Sequence, residues 1–445
     1  MKRYLMLALL MFLVISARPA AAQNQVVVRD TNGLLALKNS CVSVGCTVNL
    51  GLDGTQGQLF LVTPTQTSGG GGLLGGLLNT VFNLLDFITS LLLQPGVTNA
   101  EPNVTLKVGS TTMIPPSGLW DTTPVKYYGN TVWDGYVHQP AADIIELPDV
   151  QISYRATGSG VVVAVIDTGI DPNHPAFQGV LVSGYDFTRN TGGGSEMVDL
   201  NRYQSTAAVV DGSAYPAQVN QSTAAVVDSD AATTLQQSQY AAFGHGTMTS
   251  GVVHLVAPAA KIMPLKAFHA NGTGSLSDVL RATYYAMQHG ANVINMSFDF
   301  PAYSQEMNRA VNSATRNGVI CVASAGNDGK DELVYPAAYT SLVMGVASTN
   351  NQDQRSSFSN YGQDLVWIAA PGEGIISPYP YGTYAAGWGT SFSAPFVSGG
   401  AALLRGAQST MNQSTASQAL AHAQYVSSQL NHGRIDLYQA LSSIK

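Results

Sequence analysis

The chain has 445 residues, of which 45% are apolar and 11% charged, and its net charge is −7. That apolar share excludes a disordered chain, and the length predicts two domains. The acidic balance excludes nucleic acid and anionic membrane surfaces as partners recognised by charge.

The chain opens with Met1-Lys2-Arg3, the apolar run Tyr4–Ala17 and the small-residue stretch Pro19-Ala20-Ala21-Ala22-Gln23. Basic, apolar and small regions in that order predict an export signal over residues 1–22, cleaved after Ala22. The apolar run is shorter than the about 20 residues of a spanning helix, so no membrane span is expected after signal removal. A secreted or extracytoplasmic location follows. There, Cys41 and Cys46 are close enough to form a local disulfide. Cys321 lies in the apolar run Gly318–Ala323 without an obvious partner and reads as a buried, unreactive thiol.

From Gln25 the pattern predicts a strand at Val26–Val28, a short helix over Asn32–Lys38, strands at Thr47–Leu52 and Gln58–Val62, a helix over Thr80–Leu93 and a strand at Val104–Val108. This is the ferredoxin-like β-α-β-β-α-β order of a small α+β domain. In the second helix, Asn79, Asn83, Asp86 and Ser90 form a narrow polar stripe, which leaves a broad apolar face to lie on a sheet. The preceding run Ser68–Gly76 contains a G-x-G-x-x-G match at Gly70, Gly72 and Gly75. So glycine-rich a segment produces that match by composition, and it reads as a flexible loop, not a nucleotide site.

Further on, Gly160–Ile166 is a continuous apolar run, as in a parallel strand buried on both faces, and Asp167-Thr168-Gly169 stands at its carboxyl end. His174 follows in the turn-like Asp171-Pro172-Asn173-His174-Pro175 and is assigned no chemistry. Next comes a repeat, Gln204–Asp211 and Gln221–Asp228, in two copies, too few for a solenoid and expected as a surface hairpin or loop near a cleft. Gly244-His245-Gly246-Thr247 then opens a predicted helix through Val256, with the two glycines leaving room for a substrate backbone. A helix start disfavours a protonated imidazole, so a His acting there as a base needs a carboxylate partner. Strands are predicted at Ile262–Ala267, Ala291–Met296, Val319–Ala323 and Leu342–Ala347. Gly389-Thr390-Ser391-Phe392-Ser393-Ala394-Pro395 opens a helix reaching Leu404, and Ser393 stands where a G-x-S-x-G elbow would need Gly.

An Asp, His and Ser in this order, in these three motifs, resemble the subtilisin-like serine peptidases, or subtilases. The likeness runs from Gln139 to Leu441 and implies a three-layer α/β domain with a mostly parallel sheet. It implies a serine endopeptidase in which Asp167 accepts the Nδ1–H of His245, His245 is the general base and Ser391 the nucleophile. Asn327, in Ala323-Ser324-Ala325-Gly326-Asn327, matches the family's side-chain donor to the oxyanion. Extended peptide substrates would pair with Gly272-Thr273-Gly274 and with Ser297-Phe298-Asp299, while Ser324, Ala325 and Gly326 line the primary pocket. Asp299 departs from the family, which usually has Gly there, and an acidic side chain at the pocket mouth would narrow it or attract a basic substrate residue.

The segment Leu93–Asn103 resembles the end of a subtilase inhibitory propeptide. The implied organisation is a propeptide over 23–110 that assists folding and then occupies the active site, a linker or mature start over 111–138, and a catalytic domain over 139–445 with an insertion at about 189–240. Polypeptide substrates and the chain's own propeptide are then its partners. The chemistry requires no cofactor. Structural calcium occurs in the family on ligands scattered over loops, and spacing places none here. Two other classes fit the same residues, an inert binding protein on this fold and a serine esterase, which phosphonate labelling and a casein digest separate.

Overall fold

The computed structural model describes residues 25–65, 84–107, 116–200, 217–218, 225–226 and 238–445. The export-signal segment, the glycine-rich run 68–76 and most of the repeat lie outside the described residues. The chain divides into two compact units, residues 1–105 and 106–445.

In the first unit, β1 (Val26–Asp30), α1 (Leu34–Val44), β2 (Cys46–Gly51), β3 (Leu59–Pro64), α2 (84–92) and β4 (Val97–Pro102) follow one another. The strands pair antiparallel in the spatial order β2-β3-β1-β4. α1 starts later than predicted because Asp30 Oδ1 accepts from Asn32 N, which commits Asn32 to a turn and leaves Gly33 as the helix cap. A strand forms at Thr105–Lys107, inside the predicted Val104–Val108, but in a separate two-stranded sheet, and the strand that completes the four-stranded sheet, Val97–Pro102, was not predicted. The Gln94–Gly96 turn, closed by Val97 N donating to Gln94 O, delivers the chain straight into the sheet at Val97. The Cys41–Cys46 disulfide ties the end of α1 to the start of β2. Val26, Val28, Phe60 and Val62 meet Leu37, Phe87 and Leu91 in one core. Leu92 at the end of α2 and Leu93 just after it are exposed.

The second unit is built on an eight-stranded sheet. Its strands are β5 (Val162–Asp167), β6 (Tyr185–Asp186), β7 (Thr191–Gly192), β8 (Lys261–Lys266), β9 (Val293–Met296), β10 (Ile320–Ser324), β11 (Met344–Thr349) and β12 (Ile368–Pro371). Their order in space is β7-β6-β8-β5-β9-β10-β11-β12, parallel except for β7 against β6. β5 sits where the order reverses, between β8 and β9. In an open parallel sheet the carboxyl end of such a strand lies in the ligand crevice, and Asp167 is its last residue.

Among the helices that pack on this sheet are α3 (His245–Val256), α4 (Leu276–Gln288), α5 (Gln305–Arg316) and α6 (Thr390–Ala407). α3 packs on α6, and α4 on α5. α6 is buried from Thr390 to Leu404 on every face, as its apolar, small-residue sequence requires. Gly399 permits this, since a Cβ there would stand 2.5 Å from Val256 Cβ. The hairpin of β13 (Ile375–Tyr379) and β14 (Thr383–Gly387) extends through the short strands 225–226 and 217–218, so the described part of the second repeat copy joins a sheet edge. Residues of 111–138 are core residues of this unit, through Leu119, Tyr127, Val132 and Tyr136.

Candidate active site

Three elements carry the motif residues: the end of β5 holds Asp167, the start of α3 holds His245, and the first turn of α6 holds Ser391. His245 Nδ1 lies 2.7 Å from Asp167 Oδ1, with both residues buried. A carboxylate only accepts, so Nδ1 carries the proton and Nε2 the lone pair. Asp167 also accepts from Thr168 N at 2.7 Å and from Thr249 Oγ1 at 3.1 Å, which fixes both of its oxygens. His245 Nε2 is buried without a hydrogen-bond partner among the described residues. Its ring lies 5.5 Å from that of Phe392, the residue after Ser391.

The glycines beside His245 are required by the protein's own packing. A Cβ on Gly246 would overlap the Gly169 carbonyl, and one on Gly244, at φ +89°, would overlap the Tyr379 ring. Gly246 thus lets the His245 helix start pack on the Asp167 turn, and Gly244 lets it pack on Tyr379. His174 is held by two hydrogen bonds to the backbone. Its Nδ1 accepts from Ala176 N at 3.1 Å and its Nε2 donates to Thr383 O at 2.9 Å.

Ser391 Oγ donates to Ser297 O at 3.2 Å, and Ser297 Oγ donates to Ser391 O at 2.8 Å. The second bond has a covalent cause. Pro395 lacks the N–H that would have bonded the carbonyl four residues back, and that carbonyl belongs to Ser391. Ser297 supplies the missing donor and is itself held by Asn295 Nδ2 at 2.9 Å, while Asn295 Oδ1 accepts from Ser398 of α6 at 2.8 Å. Asn327 Oδ1 accepts from Thr390 N at 2.9 Å and from Thr390 Oγ1 at 3.1 Å, so its amide nitrogen is the end left free.

The predicted substrate-contact residues fall in two places. Thr273 and Gly274 lie in a short strand, Thr273–Ser275, which follows Gly272 at φ +78°. Ser297-Phe298-Asp299 and Ser324-Ala325-Gly326 continue β9 and end β10 side by side, with Ser324 Oγ donating to Phe298 O at 3.4 Å. The Phe298 side chain turns into the core against Phe268, with ring centroids 5.0 Å apart. Asp299 Oδ2 lies 3.4 Å from where a Cβ on Gly326 would stand. Burial, then the charges of Asp328 and Glu332, push its pKa up to about 7.

The subtilase family profile matches residues 158–437. The chain belongs to the subtilase family. It is 34% identical to thermitase from Thermoactinomyces vulgaris over 259 residues, 56% of this chain and 76% of thermitase. It is 36% identical to subtilisin Savinase from Lederbergia lenta over 258 residues, 56% of this chain and 77% of Savinase. The crystal structure of fervidolysin from Fervidobacterium pennivorans, a keratinolytic enzyme related to subtilisin, superposes with a TM-score of 0.68 at 21% identity, over 94% of this chain and 61% of fervidolysin. This subtilase is thus a serine-type endopeptidase with a subtilisin-like fold.

Two residues that build the surroundings of the subtilase motifs escaped the sequence reading. Glu196, buried in the polar segment after Gly192-Gly193-Gly194, accepts from Thr168 and Thr247 side chains and from Gly244 N. Lys266, fully buried at the end of β8, donates to Thr168 O at 2.7 Å, Phe268 O at 2.7 Å and Asp199 Oδ2 at 2.8 Å. The signal in the sequence was a Lys near the end of the apolar run Ile262–Ala267, and the structure sets it in register with Asp167. Among the described residues, no group of three or more His, Cys, Asp or Glu could hold a metal ion, and no helix is long and apolar enough to cross a membrane.

Proposed function

We propose that this subtilase cleaves peptide bonds by acyl transfer through Asp167, His245 and Ser391. The observation that carries the reading is the His245 imidazole, bound at Nδ1 by Asp167 and left with an unpartnered Nε2 beside the start of α6. Ser391 Oγ leaves Ser297 O and gives its proton to Nε2 as it attacks the substrate carbonyl carbon. The resulting oxyanion takes hydrogen bonds from Ser391 N–H, one of the orphan donors of a helix start, and from Asn327 Nδ2. Collapse expels the amine, which takes the proton from Nε2. Water then hydrolyses the acyl-enzyme by the same base.

The edges Gly272–Gly274 and Ser297–Asp299 hold the peptide as an added strand, and Asp299 favours a basic side chain in the pocket lined by Ser324–Gly326. Residues 1–22 export the chain, and residues 23 to about 110 act as a propeptide that the enzyme removes from itself. The hydrogen bond from Ser391 Oγ to Ser297 O is the one observation that favours an inert binding protein on the same fold. A fluorophosphonate probe and a casein digest separate the readings. Labelled Ser391 with cleaved casein supports the peptidase, labelling without cleavage an esterase, and no labelling the inert fold.

A further inference from the structure

Glu196 meets both halves of the Asp167–His245 pair at once. Its Oε2 accepts from Thr168 Oγ1 at 3.0 Å and from Gly244 N at 2.8 Å, and its Oε1 accepts from Thr247 N at 3.3 Å and from Thr247 Oγ1. Thr168 is the neighbour of Asp167, and Gly244 and Thr247 bracket His245. The backbone of Glu196 is fixed to the same turn. Glu196 N donates to Ile170 O at 3.1 Å, and Ile170 N donates to Gly194 O at 3.0 Å. Gly169 is what lets this chain approach, since a Cβ there would stand 2.9 Å from Glu196 N.

We propose that Glu196 is a positioning residue, whose carboxylate clasps the Asp167 turn to the His245 helix start and so sets the geometry of that pair. As a carboxylate it accepts all four donations. Protonation would force it to donate to the Thr168 or Thr247 hydroxyl, which would accept beside the backbone N–H of Gly246 or Asp171 and give up its own donation to Glu196. Burial pushes the Glu196 pKa up to about 7, against the pull of Thr247, Gly244, Lys266 and Thr168. The ionisable groups facing it are Lys266 of β8 and Tyr379 of β13, with Asp167 and His245 one hydrogen-bonded residue away. The clasp therefore closes as pH rises through neutrality.

The inference rests on the triad reading, so its test must fail separately. Active sites are titrated with a fluorophosphonate, the labelled residue is mapped, and hydrolysis of a peptide p-nitroanilide is followed across pH. Glu196→Gln should lower kcat per titrated site by about 10- to 100-fold, the scale of a misplaced catalytic group, with KM little changed. The acid limb of its kcat profile should lose steepness, from the two-proton slope of a base and a clasp that must both be deprotonated to a one-proton slope. An unchanged kcat per site and an unchanged limb, with only a lower melting temperature or active fraction, would leave Glu196 a purely structural group and overturn the inference. Should Glu196→Gln not fold, Thr168→Val must show the same loss and Thr168→Ser recover it; equal rates in these two overturn the clasp. A label away from Ser391 overturns the triad instead.

Discussion

His254 offers a measurement of stability that needs no substrate. It lies in α3, is 1% exposed, and neither ring nitrogen has a hydrogen-bond partner among the described residues. Tyr127 and Phe177 pack around it, with ring centroids at 6.0 and 6.3 Å. Burial, then the neighbouring His174, push its pKa down to about 4 from an ordinary 6.5. Because the folded-state pKa lies below the unfolded one, the unfolded chain binds this proton first as pH falls. Stability is intact above about pH 6.5 and declines from there through pH 4, where the loss is about 3 kcal/mol. Urea unfolding of the Ser391→Ala protein, which cannot digest itself, would be followed by tryptophan fluorescence. Trp120, Trp133, Trp367 and Trp388 all lie in the unit that holds His254. His254→Leu should lose about 3 kcal/mol less than its parent between pH 7.5 and 4. His174 shifts in the same direction and remains in both proteins, so the difference reports His254 together with its coupling to His174. Equal acid losses in the two proteins would refute the reasoning.

Ser391→Ala should accumulate as a precursor that is not shortened near residue 110 in purified form; shortening by the pure variant would rule out self-processing. Asp299→Gly should lower the preference for Lys or Arg over Leu or Phe at the cleavage site, by roughly 10- to 150-fold for a charge-assisted hydrogen bond of about 1.5–3 kcal/mol. Because Asp299 ionises at about 7, that preference in the parent should grow as pH rises through neutrality; a preference unchanged by the substitution or by pH removes the specificity claim. Asn327→Ala should cut kcat by about 10²–10³ with KM little altered, as loss of one oxyanion donor does, and an unchanged kcat would assign Asn327 to loop capping alone.

Much of the catalytic unit was legible because its elements are written in local patterns. The apolar run before Asp167, the small-residue helix after His245 and the helix after Ser391 each lie within two or three residues of their predicted bounds. A boundary moved where a side chain intervened, as Asp30 does before α1, and β4 went unread because it follows the Gln94–Gly96 turn directly, in a polar stretch without alternation. What local pattern cannot carry is the partner of a buried polar group. Glu196 stands in a glycine-rich polar stretch that reads as surface, and only the folded chain brings it to Thr168 and Thr247. Gly244 and Gly246 were legible as positions needing clearance, but the object to be cleared is decided by tertiary packing. The bond from Ser297 to the carbonyl freed by Pro395 joins residues far apart in sequence, which no local pattern announces.

The central claim is that Ser391 is a nucleophile made reactive by the His245–Asp167 pair. Its most direct test is the rate of phosphonylation by a fluorophosphonate in the parent, Asp167→Asn and His245→Ala proteins, with the labelled residue identified by mass spectrometry. The account predicts one label, on Ser391, in the parent, and labelling slowed by at least about 10³-fold in both variants. Equal labelling rates in all three proteins, or a label on any other residue, would contradict it.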